Sequence, residues 1–187
     1  MKKIQRHDYD GNDIISTRTI TINPVEYTQE NMERLIQTIR DNLTPDLLKF
    51  KRLKYKGDSR YYGHCYHSTH ALFLILNTDR LVPMSGEDFR GENHWWLQDK
   101  ETQTIYDCTP EQYYIKEQQP PYDKGKKSSW YGWKGRPLVC TMNLVKRVAI
   151  HENIFLDDIE TFVNQNDLNK FLKSSWLSAP IFVILIL

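Results

Sequence analysis

The sequence predicts an α+β fold in which one central helix, carrying Cys65, lies against a small and mainly antiparallel sheet. Three observations carry that reading. The second half of the segment that starts near His64, Ala71-Leu72-Phe73-Leu74-Ile75-Leu76, is apolar nearly all round, and a helix of that kind sits inside a domain. Segments 93–98 and 103–107 flank the charged turn Asp99-Lys100-Glu101-Thr102 and read together as a β-hairpin. Residues 14–22, Ile-Ile-Ser-Thr-Arg-Thr-Ile-Thr-Ile, are β-branched and partly alternating, as a half-buried strand requires. A chain of 187 residues fits one domain, with a catalytic-like core over about 28–150 and a helical extension with an apolar tail over 151–187.

Taken in order, the N-terminus (Met1-Lys2-Lys3-Ile4-Gln5-Arg6-His7-Asp8) has no apolar run and does not read as a signal peptide. After the strand at 14–22, Thr28 caps a helix with Met32, Leu35, Ile36 and Ile39 at helical spacing. Pro45 restricts Thr44, so that helix ends near Leu43. Residues 47–56 read as a short helix and a loop. The central helix starts at His64 or Cys65 and runs to about Asn77, and the hairpin follows. Residues 115–136 contain Pro120-Pro121, Gly125, Gly132, Gly135, Lys124, Lys126 and Lys127 and read as a long loop, the kind of segment that serves as a lid or a binding element. Beyond it come a helix near 143–150 and two short helices in 154–174. The wholly apolar end, 181–187, is too short to span a bilayer. It reads as a buried final strand or as a membrane or partner contact.

Composition narrows the class. With 40% hydrophobic and 26% charged residues and a formal charge of +1, the chain reads as a soluble globular protein with no global electrostatic case for nucleic acid or membrane. Cys65, Cys108 and Cys140 cannot all pair within the chain, and no C-x-x-C occurs. Neither a disulfide scaffold nor a zinc ribbon is suggested, and a reducing, cytoplasmic setting is expected. The aromatics, which include Trp95, Trp96, Trp130 and Trp133, predict core and pocket walls.

Chemistry concentrates in three segments: Gly63-His64-Cys65-Tyr66, Asn93-His94-Trp95-Trp96 and Tyr106-Asp107-Cys108-Thr109-Pro110. A helix N-terminus offers free amides and the positive end of the helix dipole, both of which favour a thiolate at Cys65. Gly63 permits the tight backbone entry, and first-turn amides can face an oxyanion. His94 on a strand can take the thiol proton and return it to a leaving group, while Asp107 on the neighbouring strand fixes the imidazole tautomer. Each residue alone has a plainer reading: a small core cysteine, a structural histidine, a turn-forming aspartate. Only the ordered set points to a catalytic triad. Tyr62, Trp95, Trp96, Trp130 and Trp133, with the 115–136 loop, are the candidate substrate-binding walls.

These segments resemble the Cys, His and Asp motifs of the transglutaminase-like and papain-like cysteine enzyme superfamily. In transglutaminase-like proteins the histidine strand often begins His-x-Trp and the aspartate segment often reads Asp-Pro-Thr. Here Cys108 stands in place of that proline and Thr109 keeps its position. The stretch from about Pro45 to Arg147 also resembles an uncharacterised family of phage and bacterial proteins. That family pairs Gly-His-Cys-Tyr, His-Trp and Asp-x-Thr-x-x-Gln-Phe-like blocks with a Gly-rich Lys/Arg segment, like Tyr122-Asp123-Lys124-Gly125 here. The resemblance implies a cysteine hydrolase or acyltransferase with no cofactor, a protein or peptide substrate, and a cytoplasmic setting, that of the host for a phage protein. Arg60, Tyr61 and Tyr62 stand where papain-like enzymes place an oxyanion-donating Gln, so either tyrosine is a candidate donor or a packing residue.

Two other constellations compete. His67 and His70 are about 60° apart on the helix but on a different face from Cys65, so a metal site would need an outside carboxylate. Lys124–Lys127 with Trp130, Tyr131 and Trp133 combines charge with stacking rings, as a grip on single-stranded nucleic acid does. A non-enzymatic binding protein, contacting a host protein or nucleic acid through residues 122–136, is the alternative function.

Overall fold

The computed structural model describes residues 1–10, 13–48, 59–130, 136–163 and 166. Strands β1 (Lys2–Asp10) and β2 (Asp13–Ile22) form an antiparallel hairpin that turns Ile4, Ile20 and Ile22 into the core. After the two-residue strand β3 (Val25–Glu26), helix α1 (Gln29–Asp41) begins where Thr28 accepts the Asn31 N–H at 3.2 Å. Its buried stripe is Met32, Leu35 and Ile39, as the sequence spacing predicts. A 3-10 turn, Pro45–Leu47, follows, and the rest of the expected short helix and loop lies outside the described residues.

Helix α2 (Cys65–Ile75) is central: eight of its eleven residues are buried. The chain leaves it directly into β4 (Leu76–Asn77), which pairs parallel with β3, so the helix ends two residues before the predicted Asn77. Strands β5 (Leu81–Glu87), β6 (Asn93–Asp99) and β7 (Ile105–Tyr106) make an antiparallel sheet in which β6 and β7 are the expected hairpin. Its turn is held by Asp99 Oδ1, which accepts the N–H groups of Glu101 (2.7 Å) and Thr102 (3.0 Å), the Asx geometry that suits aspartate. A short helix α3 (Glu111–Tyr114) comes next. The predicted 115–136 loop then contains a 3-10 turn, Tyr122–Lys124, and β8 (Lys126–Lys127), which adds to the sheet in the order β7-β6-β5-β8. Helix α4 (Val139–His151) starts four residues before the predicted 143.

Strand β5 lies in a segment unassigned from the sequence, and it holds Pro83 and Gly86, residues that weaken a strand interior. Pro83 accepts the Ser128 N–H at 2.9 Å, so its missing N–H lies on the β8 side, where pairing covers only Met84 and Ser85. The β5–β6 ladder therefore loses no bond to the proline. A second correction concerns the extension. Residues 156–162, expected within two short helices, form strand β9 (Leu156–Phe162), which closes the first sheet as β1-β2-β9. The remainder of 154–174 beyond Val163, Asn166 apart, and the tail 181–187 lie outside the described residues. The architecture is mixed α/β, with four helices and small, mainly antiparallel sheets among the described residues. No helix there is long and apolar enough to cross a membrane.

Helix α2 packs on β6, with the Thr69 hydroxyl donating to the Trp95 carbonyl at 3.0 Å. Ala71, Leu72 and Ile75 of α2 and Leu144, Val145 and Val148 of α4 share the core cluster. This clamp fixes the helix N-terminus, and therefore Cys65, at the end of β6 where His94 sits.

Candidate active site

Gly63 makes the entry to α2. Its φ is +81°, a left-handed conformation that costs an L side chain about 1–2 kcal/mol. His64 follows as the N-cap residue with no side-chain cap bond, because its ring turns inward and places Nδ1 2.8 Å from Nε2 of His67. The first helical bond is Ser68 N–H to the His64 carbonyl at 3.1 Å, so the amides of Cys65, Tyr66 and His67 stand outside the helix's own ladder.

The three sequence-predicted catalytic residues come together. The Cys65 thiol is half-buried, hydrogen-bonds the His94 ring, and lies 3.7 Å from the Asn93 carbonyl. His94 is almost fully buried, and its Nε2 lies 2.6 Å from Asp107 Oδ2. With Nε2 committed to Asp107, Nδ1 is left for the thiol. Strand register explains the meeting. The β6–β7 pairing sets Leu97 opposite Tyr106, which brings Asp107 level with Trp96. His94 is one alternation away on the same face. Burial alone would lower the imidazole pKa; the Asp107 charge and hydrogen bond, then Cys65, outweigh it and raise it to about 10. Both partners thus favour the protonated ring.

Further groups, given no site role from the sequence, complete the setting. Asp107 Oδ1 accepts the Thr109 N–H at 2.8 Å, and the Tyr122 hydroxyl donates to Oδ2 at 2.8 Å. Gln112 Nε2 donates to the Thr109 carbonyl at 3.0 Å and lies 3.4 Å from His94 Nδ1. The Tyr113 ring meets His94 edge to face at 4.8 Å. Gln112 and Tyr113 fall in the Asp-x-Thr-x-x-Gln-Phe-like block and Tyr122 opens the Gly-rich segment, but nothing local assigns them these contacts.

Cys65 opens onto a cavity of about 220 Å³ lined by Tyr62, Gly63, Asp88, Arg90, Glu92, Asn93, Gln112 and Tyr113 as well. Its rim is a braced turn. Asp88 accepts the Arg90 and Glu92 amides at 2.7 and 3.1 Å, the Arg90 guanidinium at 2.9 Å through Nε, and the Tyr113 hydroxyl at 3.0 Å. Burial pushes the Asp88 carboxyl up, but Arg90 and these amides hold it below its ordinary value. Arg90 in turn lies about 5 Å from the ring centres of Tyr62, Phe89 and Tyr113, a cation–π arrangement. Tyr62 donates to Glu92 at 2.7 Å, and burial, then Glu92, raise its phenol to about 12. The Asp-x-x-Gly turn signal at Asp88–Gly91 was the one trace of this rim in the sequence.

Of the candidate substrate walls, Tyr62 lines the cavity. Trp95 and Trp96 are 2% and 1% exposed and belong to the sheet interior: Trp95 against Tyr66 and Trp130, Trp96 against Tyr122. Trp130 stacks on His70 with ring centres 4.0 Å apart. The structure therefore does not bring these three tryptophans to the cavity, and Trp133 lies outside the described residues. Tyr61, the other candidate oxyanion donor, is held between Arg40 and Arg60. His67 bonds His64 while His70 faces Trp130, so the two are not paired. Among the described residues no group of three His, Cys, Asp or Glu side chains is placed to hold a metal. Burial lowers His64 to about 4, and His67 and His70 to about 3. Lys124, Lys126 and Lys127 are exposed.

Compared with family models, curated proteins and solved structures, the chain matches none.

Proposed function

We propose that the protein is a cysteine-dependent enzyme of acyl chemistry, of the transglutaminase-like or papain-like kind. It would act on an amide bond by peptide or isopeptide hydrolysis, deamidation or transamidation. The observation that carries this reading is His94 standing between the Cys65 thiol and the Asp107 carboxylate, with Nε2 2.6 Å from Oδ2, at the wall of a cavity.

In this reading the Cys65 sulfur, paired with the His94 imidazolium, adds to an amide carbon in the cavity. First-turn amides of α2, that of Cys65 among them, would donate to the developing oxyanion, which preorganised donors stabilise. When the C–N bond breaks, His94 gives its proton to the leaving nitrogen, and the acyl group remains on sulfur. His94, now neutral, takes a proton from water or an incoming amine as that nucleophile attacks, and the C–S bond breaks to restore the pair. Asp107 holds the imidazole orientation throughout. No cofactor enters the sequence of steps. A protein or peptide substrate fits the braced rim, and a reducing cytoplasmic setting fits three cysteines that form no disulfide.

The test is iodoacetamide labelling at neutral pH, read by peptide mass spectrometry. Cys65 is expected to label far faster than Cys108 and Cys140 and to lose that advantage in His94→Ala. Slow labelling of Cys65 in both proteins overturns the reading. The alternative, a binding protein using residues 122–136, has the exposed Lys124, Lys126 and Lys127 in its favour. The engagement of Trp130 with His70 counts against it. It would show as binding to a protein or nucleic acid that is lost with Lys126 and Lys127 and indifferent to Cys65→Ser.

A further inference from the structure

The geometry points to Tyr122 as a positioning residue of the Cys65–His94–Asp107 array, and to the 120–125 segment as the element that holds the array in register. This rests on the acyl-chemistry reading and extends it to a segment with no positioning role legible in the sequence.

Asp107 is fixed by donors from three separate stretches. Oδ1 takes the Thr109 N–H, while Oδ2 takes both His94 Nε2, at 2.6 Å, and the Tyr122 hydroxyl, at 2.8 Å. The shared oxygen is the important one. Thr109 and His94 each hold one oxygen; a third donor on Oδ2 further restricts rotation about the Cβ–Cγ bond. Burial, then the neighbouring Asp107, push the Tyr122 phenol upward, so it stays a donor across the neutral and alkaline range.

The hydroxyl reaches Asp107 because its backbone is seated unusually closely. Tyr122 meets the Trp96 ring edge to face at 5.1 Å. A Cβ on Gly125 would stand 2.5 Å from Trp96 Cζ2, and one on Gly86 would stand 2.6 Å from the Pro121 carbonyl oxygen. Hydrogen alone fits at both positions. Gly86 is also the residue opposite His94 in the β5–β6 pair, so the ladder that places His94 also seats the segment. Within it, Tyr122 N–H donates to the Pro120 carbonyl at 2.8 Å and Gly125 N–H to the Tyr122 carbonyl at 3.1 Å. β8 then ties its far end to β5. Motion of this segment would be felt at Asp107 before anywhere else in the site.

The experiment uses the whole chain and two readouts. The first is the downfield proton resonance of His94 Nε2–H, which reports the His94–Asp107 bond whether or not the protein is an enzyme. The second is the Cys65 labelling rate. Tyr122→Phe keeps the ring on Trp96 and removes only the hydroxyl; Gly125→Ala keeps the hydroxyl and spoils the seat. Both are expected to shift the resonance, to speed its exchange with water, and to slow labelling about three- to tenfold, the size of one hydrogen bond's net contribution. Folding is followed by circular dichroism. A folded Tyr122→Phe with the wild-type resonance and labelling rate overturns the positioning role, as does a wild type with no such resonance. A wild-type-like Gly125→Ala overturns the role of the segment. The acyl-chemistry reading fails separately, if His94→Ala leaves Cys65 labelling unchanged.

Discussion

At Asp107 two roles coexist because a carboxylate has two oxygens. One caps the turn into Thr109-Pro110, and the other orients His94. Asp107→Asn separates the roles, since an amide oxygen can still accept from Thr109 while the charge beside His94 is gone. The His94 pKa, raised to about 10 by that charge against burial, is then expected to fall steeply toward the free-imidazole value, with the fold retained. Titration of the His94 ring protons by NMR checks this, and a value left near that of the wild type would show that Asp107 is not the cause. His64, next to the proposed nucleophile, shows the opposite case: among the described residues no carboxylate bonds it, and burial against His67 drives it down to about 4.

Among the elements, α1, α2, β2 and the β6–β7 hairpin were legible because each carries a local signal: a Thr cap, an apolar run, β-branching, an Asx turn. Strands β1, β5 and β9 carry none. β9 reads Leu-Asp-Asp-Ile-Glu-Thr-Phe, an acid-rich segment that is extended because β2 offers it an edge and because Asp158 has partners there. Asp158 accepts from Arg18 through both oxygens at 2.9 Å and from Lys146 of α4 at 2.9 Å. It is a half-buried hub whose carboxyl burial pushes up, while Arg18 and Lys146 hold it below its ordinary value. Asp158→Ala leaves both cations without this acceptor and is expected to cost about 1–3 kcal/mol, with hydrogen exchange accelerated in β9 before α2. Urea unfolding and amide exchange measure both; uniform acceleration throughout the chain would contradict a local tether.

For the whole molecule, the histidines pull stability in opposite directions with pH. A raised His94 contributes stability that is complete below its unfolded value of 6.5 and is lost as pH climbs toward about 10. Lowered His64, His67 and His70 contribute stability that is present above 6.5 and is lost as pH falls toward about 4 to 3. Thermal midpoints should therefore decline on both sides of near-neutral pH. His94→Gln should flatten the alkaline side between 6.5 and about 10 and leave the acid side unchanged. Parallel alkaline declines in wild type and variant would show that the ion pair with Asp107 does not stabilise the fold.

The sequence by itself determined the thiol at a helix start, the imidazole and carboxylate on adjacent strands, and the glycine that permits the tight entry to that helix. All of these are signals written within one turn of helix or one hairpin. Only the tertiary structure decided what surrounds them: Tyr122 on Asp107, Gln112 and Tyr113 beside His94, the Asp88–Glu92 rim in place of the tryptophans, and a strand where helices were expected. Those partners are chosen by strand register and by the close approach that Gly86 and Gly125 permit. Such contacts join residues distant in the chain, and no local propensity encodes them.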